Sequence, residues 1–152
     1  MRFYPDASFL ASLYLPDPNA DPARNVFERI QERGEILLVT DLSILEAGNA
    51  IHLAAFRKLL TPEELTQTIA GFVQDTIAQI FQRTAIPSET WKIANELSRL
   101  HTPEIGCRSL DILQVAIAIL LKADQFLTFD QRQRKLALAA GLDAQDLLTS
   151  YS

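Results

Sequence analysis

Hydrophobic positions along the chain alternate between short unbroken runs and stripes at helical spacing. Three short runs predict buried strands: "MRFY" at the start, "EILLVTD" from Glu35 and "QFLTF" from Gln125. A last short strand is predicted at Gln145 to Leu148. Helical stripes separate these runs, so the pattern predicts an α/β fold with a central parallel sheet that is covered by helices on both faces.

Seven segments are predicted to be helical from the spacing of their apolar residues and from the residues at their ends. The strongest start signal is Thr61, Pro62 and Glu64, which form an N-cap, a proline in the first helical position and an acid in the third. The segment "HTPEIGCR", residues 101–108, is predicted to be a loop. The predicted helices are residues 6–15, 24–32, 43–60, 62–83, 88–100, 109–123 and 131–140.

Composition places the chain among globular proteins. Its 152 residues are 48% hydrophobic and 22% charged, which predicts a single domain over residues 1–152. The one cysteine, Cys107, cannot form an internal disulfide, and the first ten residues lack the basic and apolar segments of a secretory signal. The longest apolar run, Val115 to Leu121, is shorter than the roughly 18 residues of a membrane span. We therefore expect a soluble, cytoplasmic protein without membrane contact.

Four carboxylates occupy comparable positions in this predicted fold. Asp6 follows the first strand, and Glu46 lies in the first turn after the second. Asp111 lies in the first turn of an apolar helix, and Asp130 follows "FLTF". In a right-handed strand-helix-strand unit the helices begin at the edge where the strands end, so all four acids are expected at one edge of the sheet. That edge is where open parallel sheets bind ligands.

Helix capping is the alternative role for each acid. Asp6 and Asp130 are at N-cap positions, Asp111 complements a helix dipole, and Ser43 with Glu46 has the S-x-x-E spacing of a capping box. Capping does not require an acid at all four positions, because serine, threonine and asparagine cap about as well without charge repulsion. If the four acids converge, their repulsion raises pKa values, and a divalent cation removes that cost.

Ligands that are all oxygen favour Mg²⁺ or Mn²⁺ over zinc. An ion held by a few carboxylates keeps water ligands and suits phosphate substrates, so the pattern predicts phosphodiester hydrolysis. The formal net charge of -5 argues against a general electrostatic grip on nucleic acid. Basic residues nevertheless follow or precede two of the acids in sequence: Arg108, Arg132, Arg134 and Lys135.

Three blocks carry these residues: "YPDASFLASLYL", "SILEAGNAI" and "RSLDILQVAIAILLKADQFLTFDQRQRKLALAAGL". In order and spacing they resemble PIN-domain proteins, in particular the VapC-type toxins of prokaryotic toxin-antitoxin pairs. The resemblance spans nearly the whole chain. It implies an α/β/α sandwich, a Mg²⁺- or Mn²⁺-dependent activity that cleaves RNA, frequent homodimers and inhibition by a small antitoxin protein.

The resemblance also implies roles for individual residues. Ser8 and Thr128 match small hydroxyl positions near the family's site and are candidates for substrate binding. Many relatives have a further acid after the strand-end aspartate, where this chain has "QRQRK", so support for a second metal ion is weaker here. Arg132 in that segment is a candidate ligand of substrate phosphate. The residues that match the family's catalytic, metal-binding quartet are Asp6, Glu46, Asp111 and Asp130.

Two other functions stay open at this stage. A PIN-like module could keep the acids, lose turnover and act through a protein or RNA partner. A phosphoryl-accepting receiver domain also places acids and Mg²⁺ at a parallel-sheet edge. A receiver is disfavoured because no adjacent pair of acids follows the first strand, and Asp130 stands where a lysine is expected.

Overall fold

The computed structural model of the protein describes residues 1–149. The strands, β1 to β4 in chain order, are Arg2–Pro5, Ile36–Val39, Gln82–Arg83 and Gln125–Leu127. The helices, α1 to α7, are Ala7–Ser12, Ala20–Glu32, Asp41–Phe56, Pro62–Ile77, Thr90–Ile105, Ser109–Leu120 and Gln131–Ala139. Within these residues no helix combines the length and the hydrophobicity that a membrane crossing requires.

The strands form one parallel sheet in the order β3-β2-β1-β4. Strand β1 is central, since Phe3 is the register partner of Leu37 on β2 and of Gln125 on β4. Successive side chains of a strand point to opposite faces. Phe3 therefore packs in one core and Tyr4 in the other.

Helices cover both faces of the sheet. Helices α1 to α4 pack on the face that carries Phe3, and α5 to α7 pack on the face that carries Tyr4. On α6 the apolar side chains from Val115 to Ala118 are fully buried, as expected for a helix enclosed by its neighbours. The predicted three-layer α/β/α sandwich with a central parallel sheet is confirmed.

Helix α4 ends earlier than predicted, at Ile77 rather than near Arg83. The backbone of Gln79 is left-handed, with a φ of 58°, and this turns the chain back towards the sheet. The residues that follow pair with Leu38 and Val39 as strand β3. The sequence pattern missed this strand because two residues are too few to show an alternation.

Helix α5 extends into the segment 101–108 that was predicted to be a loop. It continues to Ile105 and contains Pro103 in its last turn. The proline indicated a break, but α5 packs along α6 and stays helical for two residues beyond it. Gly106 ends the helix in the left-handed conformation, with a φ of 71°. Helix α2 also starts earlier than predicted, at Ala20 instead of Arg24.

The predicted strand at Gln145 to Leu148 is wrong. Residues 142–146 have no regular structure, and residues 147–149 form a turn. The segment still runs beside β4, because the Asp143 carbonyl accepts a hydrogen bond from the Phe126 amide over 2.8 Å. A single bond of this kind adds no strand to the sheet.

Candidate active site at the carboxyl edge of the sheet

Asp6 and Asp130 lie at the same edge of the sheet, because they follow neighbouring parallel strands. Asp6 comes directly after β1, and Asp130 follows the end of β4 at Leu127. The Asp6 amide donates a hydrogen bond to the Leu127 carbonyl over 2.9 Å. This bond extends the pairing of the two strands to the point where the acids begin.

The Asp6 carboxylate accepts three hydrogen bonds inside the protein. Its Oδ1 accepts from the Ser8 hydroxyl over 2.6 Å and from the Phe9 amide over 2.9 Å, so Asp6 also caps α1. Its Oδ2 accepts from the Thr128 hydroxyl over 2.5 Å. Ser8 and Thr128, the two hydroxyls that were predicted to bind substrate, therefore contact this acid.

Burial raises the pKa of Asp6 from 3.8 to about 6, although its three hydrogen bonds lower it. The negative charge of Asp130 raises the pKa further, which places the two carboxylates within electrostatic reach of each other. Only 1% of Asp6 is exposed. A raised pKa means that the charged form is costly in this environment, so a nearby cation would stabilise it.

Asp130 caps α7 and keeps its side chain exposed. Its Oδ1 accepts hydrogen bonds from the amides of Arg132 over 2.8 Å and Gln133 over 3.0 Å. Its own amide donates to the Thr128 hydroxyl over 2.9 Å. Thr128 thus contacts both strand-end aspartates, and the cap leaves Oδ2 of Asp130 without a hydrogen bond in residues 1–149.

Asp111 lies in the first turn of α6 and is half-buried. Its carboxylate accepts a hydrogen bond from the Arg108 amide over 3.3 Å. Burial raises the pKa of Asp111, this hydrogen bond lowers it, and the charge of Asp130 raises it further. The guanidinium groups of Arg108 and Arg132 lower the same pKa, so both cations lie within electrostatic reach of the acid.

Glu46 is not the capping residue that the S-x-x-E pattern predicted. Helix α3 begins at Asp41, and its N-cap is Thr40. The Thr40 hydroxyl accepts from the Ser43 amide over 3.4 Å, and the Ser43 hydroxyl accepts from the Thr40 amide over 3.4 Å. The capping box therefore lies three residues earlier than predicted, and Glu46 has no role in it.

Glu46 is instead held by Gln114 of α6, whose Nε2 donates a hydrogen bond to Glu46 Oε2. Burial raises the pKa of Glu46, the bond from Gln114 lowers it, and the charge of Asp111 raises it. Each acid is thus coupled electrostatically to a neighbouring acid. We call this series the acidic row, in the order Glu46, Asp111, Asp130, Asp6.

Gln114 and Tyr4 were not among the residues predicted for the site. Gln114 is buried, and its Oε1 accepts a hydrogen bond from the Tyr4 hydroxyl over 2.5 Å. The Tyr4 hydroxyl also lies 3.0 Å from Ser43 Oγ. One signal was present, because a glutamine in an otherwise apolar helix must find a polar partner when it is buried.

The oxygen ligands of the acidic row suit Mg²⁺ or Mn²⁺. Within residues 1–149, however, no group of three or more His, Cys, Asp or Glu side chains is placed to hold a metal ion. The acids are coupled in pairs, which fits Mg²⁺, because this ion keeps several waters and is commonly bound through one or two carboxylates. Joint coordination by all four acids stays a prediction.

A cavity of about 500 Å³ opens beside Asp130 and contains two basic side chains, Arg132 and Lys135, in its wall. Arg132 Nη1 lies 3.4 Å from the Gly106 carbonyl, and both side chains are exposed. Arg134 has a different role, because its Nε donates to the Ala144 carbonyl over 2.8 Å and holds the segment after α7. Of the three basic residues after Asp130, Arg132 and Lys135 line this cavity and Arg134 does not.

Comparison with known proteins identifies the family. Residues 3–138 match the PIN domain. The chain belongs to the PIN domain family. This membership confirms the resemblance and removes the receiver domain as an alternative. No curated protein matches the sequence.

Solved structures with a similar fold include several related proteins. FitAcB from Neisseria gonorrhoeae is 14% identical with a TM-score of 0.69, over 97% of this chain and 99% of that chain. VapBC2 from Rickettsia felis, bound to a DNA fragment from their promoter, is 13% identical with a TM-score of 0.66, over 95% and 98%. VapC20 from Mycobacterium tuberculosis, a Sarcin-Ricin loop cleaving toxin, is 13% identical with a TM-score of 0.65, over 92% and 95%. At these identities the likeness is one of fold.

Proposed function

We propose that this PIN domain is a Mg²⁺- or Mn²⁺-dependent endoribonuclease that hydrolyses RNA phosphodiester bonds. The observation that carries the proposal is the acidic row, in which the pKa values of Asp6, Glu46 and Asp111 are raised. Raised pKa values at a sheet edge are typical of a functional site. Grouped carboxylates repel one another and destabilise the fold unless a ligand offsets their charge. The similarity in fold to VapC20, a Sarcin-Ricin loop cleaving toxin, supports the same class of reaction.

In the proposed site Asp6, Asp111 and Asp130 would hold the cation directly or through its water ligands, and Glu46 would complete the set in the same way. The bound cation would activate a water for attack on phosphorus and neutralise charge on the departing oxygen. Ser8 and Thr128 hold Asp6 in place through their hydroxyl groups. These two hydrogen bonds keep the Asp6 carboxylate ordered before substrate arrives, which lowers the entropic cost of binding.

RNA approaches this site against the negative charge of the acidic row. Arg132 and Lys135, in the wall of the cavity beside Asp130, offset that repulsion by binding phosphate. Arginine can bind two phosphate oxygens at once, which also orients the backbone that is to be cleaved. We therefore assign substrate binding chiefly to Arg132. Ser8 and Thr128 would act through Asp6, because both hydroxyl groups donate to its carboxylate and Thr128 is buried.

We also propose that the protein is the toxin of a toxin-antitoxin module, with a small antitoxin protein and a second copy of the chain as partners. Several large apolar side chains support a partner surface: Phe56, Leu59 and Ile77 are 82%, 64% and 75% exposed. A size-exclusion column tests the homodimer. To test the antitoxin, the reading frame beside the gene is inspected for a short DNA-binding protein. That protein should co-purify with this chain when the two are expressed together.

The nuclease is tested by incubating the purified protein with a structured RNA and Mn²⁺. We expect cleavage that EDTA abolishes, and loss of cleavage in Asp111→Asn with the fold intact. Asp21→Asn is the matched control, because Asp21 is an exposed acid in the first turn of α2, in the other helical layer. Cleavage by Asp111→Asn at the wild-type rate, or cleavage that persists in EDTA, would contradict the assignment.

A binding module without turnover is the second candidate. It is favoured by the observation that, in residues 1–149, three or more metal-ligating side chains are nowhere placed together around one ion. Such a module would bind RNA or a protein partner and leave the RNA intact at every Mn²⁺ concentration. Binding of the structured RNA without any Mn²⁺-dependent cleavage would therefore replace the nuclease with this function.

A further inference from the structure

A buried glutamine connects the sheet to Glu46. Gln114 lies on α6 three residues after Asp111, and only 1% of it is exposed. Its Oε1 accepts the hydrogen bond from the Tyr4 hydroxyl, over 2.5 Å, and its Nε2 donates to Glu46. The side chain of Gln114 therefore joins β1 of the sheet to α3 of the opposite helical layer.

The surroundings fix the orientation of the Gln114 amide. Three hydroxyl groups lie together on its Oε1 side: Ser43 Oγ and Thr40 Oγ1 are 3.0 Å and 3.3 Å from the Tyr4 hydroxyl. An amide offers one acceptor and one donor group, and a carboxylate is an acceptor only. If the amide turned over, its oxygen would face the oxygen of Glu46. The donor group therefore faces Glu46 as long as that acid is ionised.

This orientation has a consequence for Glu46. A half-buried glutamate on a helix has several torsions that it must fix before it can bind a ligand. Gln114 is the only side chain in residues 1–149 that hydrogen-bonds Glu46, and it holds Oε2. With Oε2 held on the α6 side, Glu46 stays beside Asp111 and its Oε1 remains available.

We propose that Gln114, oriented by the Tyr4 hydroxyl, is a positioning residue that holds Glu46 ready to bind the divalent cation. The inference rests on the proposed function and deepens it, because it assigns a residue outside the four acids to the same site. Groups that orient metal ligands through hydrogen bonds typically change metal affinity or activity about 10- to 100-fold when removed. Gln114 touches neither substrate nor cation, so it acts through Glu46.

The test compares Mn²⁺ binding to the wild-type protein and to Gln114→Met, by isothermal titration calorimetry and by the rise in unfolding temperature with Mn²⁺. Methionine keeps the length and most of the volume of glutamine and removes the donor. We expect Mn²⁺ affinity to fall by about 10-fold or more. Cleavage should shift to higher Mn²⁺ by the same factor and recover at saturation.

A matched control is Gln125→Met. Gln125 is also a buried glutamine whose amide donates to a carboxylate, Asp143 Oδ2, over 3.3 Å, but it lies at the other end of β4 from Thr128. The Mn²⁺ affinity of Gln125→Met should equal that of the wild-type protein. If Gln125→Met lost as much affinity as Gln114→Met, the effect would be one of general stability and the positioning role would be wrong.

A second variant covers the case in which Gln114→Met does not fold. Tyr4→Phe keeps the ring, which stacks on Phe126 at 5.9 Å, and removes only the hydroxyl that orients the amide. It should weaken Mn²⁺ binding in the same direction and by a smaller factor. Wild-type Mn²⁺ affinity in a folded Gln114→Met, or in Tyr4→Phe if the first variant is unfolded, overturns the inference alone. Absence of Mn²⁺ binding to the wild-type protein overturns the proposed function with it.

Discussion

The Thr128 hydroxyl donates a hydrogen bond to Asp6 over 2.5 Å, although the two residues are 122 positions apart in the sequence. The parallel pairing of β1 with β4 brings them together, because Asp6 and Thr128 are the residues that follow the paired ends Pro5 and Leu127. Thr128 also accepts from the Asp130 amide, so one hydroxyl group connects two of the acids. The relative positions of Asp6, Thr128 and Asp130 therefore depend on the register between β1 and β4.

Replacement of Thr128 by valine should destabilise the protein. Valine has the same shape but cannot donate to the buried carboxylate of Asp6, and a buried acceptor without its donor costs about 1–3 kcal/mol. The loss should be larger at pH 8, where Asp6 is ionised, than at pH 5. Urea unfolding in EDTA at both pH values measures the free energy of unfolding.

The control for this change is Thr66→Val. The Thr66 hydroxyl donates to the Pro62 carbonyl over 2.9 Å on the exposed face of α4, where water can replace the lost partner. Its effect should stay within about 0.5 kcal/mol, as is usual for surface positions. Equal losses for the two variants would mean that Thr128 contributes through its strand position and not through Asp6.

Replacement of Asp6 by asparagine should stabilise the metal-free protein at pH 8. The pKa of Asp6 is raised in the folded state from 3.8 to about 6, so the folded state binds a proton more tightly than the unfolded state does. The stabilising contribution of this group is present below about pH 4 and is lost as the pH rises through 6. At 1.36 kcal/mol per pKa unit, the loss at pH 8 is on the order of 3 kcal/mol.

Asparagine avoids this loss because it is never ionised, and it caps a helix as well as aspartate does. The variant and the wild-type protein should therefore have similar stability near pH 4 and diverge above pH 6, in EDTA, as measured by urea unfolding. Cleavage should be abolished at the same time. An Asp6→Asn variant that is less stable than the wild-type protein at pH 8 would show that the ionised form is the one the fold favours.

The roles of Ser43 and Glu46 can be separated by two substitutions. Ser43→Ala removes half of the capping box with Thr40 and should lower the free energy of unfolding by about 1 kcal/mol. Glu46→Gln should leave stability nearly unchanged and lower cleavage by at least about tenfold. Equal losses of stability in the two variants would mean that Glu46 supports helix α3 and would contradict its assignment to the metal site.

The position of the capping box of α3 could not be predicted from the sequence. Both "TDLS" from Thr40 and "SILE" from Ser43 have a hydroxyl residue followed by a suitable partner at the third position. The choice depends on where the backbone leaves the extended conformation, and Thr40 is the residue that is extended, with a ψ of 169°. No local pattern contains that information.

Other parts of the fold were predictable to the extent that their causes are local. Strands β1, β2 and β4 are apolar runs, and the positions of Asp6 and Asp130 follow from the direction of parallel strands. Strand β3 and the Gln114 contacts depend on distant partners, and Tyr4 and Gln114 are 110 residues apart. Pairs of this kind cannot be derived from spacing in one sequence.

The two arginines after Asp130 should respond differently to substitution by alanine. Arg132 lies in the wall of the cavity, and within residues 1–149 its side chain hydrogen-bonds only the Gly106 carbonyl, over 3.4 Å. Arg132→Ala should therefore have wild-type stability and bind RNA more weakly. Loss of one phosphate contact lowers the slope of log affinity against log salt by about 0.7 for a single strand. Filter binding at several salt concentrations measures this slope.

Arg134→Ala should show the opposite result. Its hydrogen bond to the Ala144 carbonyl fixes the segment after α7, and a bond from a charged donor contributes about 1.5–3 kcal/mol to stability. RNA affinity and its salt dependence should remain at wild-type values, since Arg134 does not line the cavity beside Asp130. If Arg134→Ala changed the salt slope and Arg132→Ala did not, RNA would follow the face of α7 that carries Arg134, and the cavity beside Asp130 would not be the phosphate site.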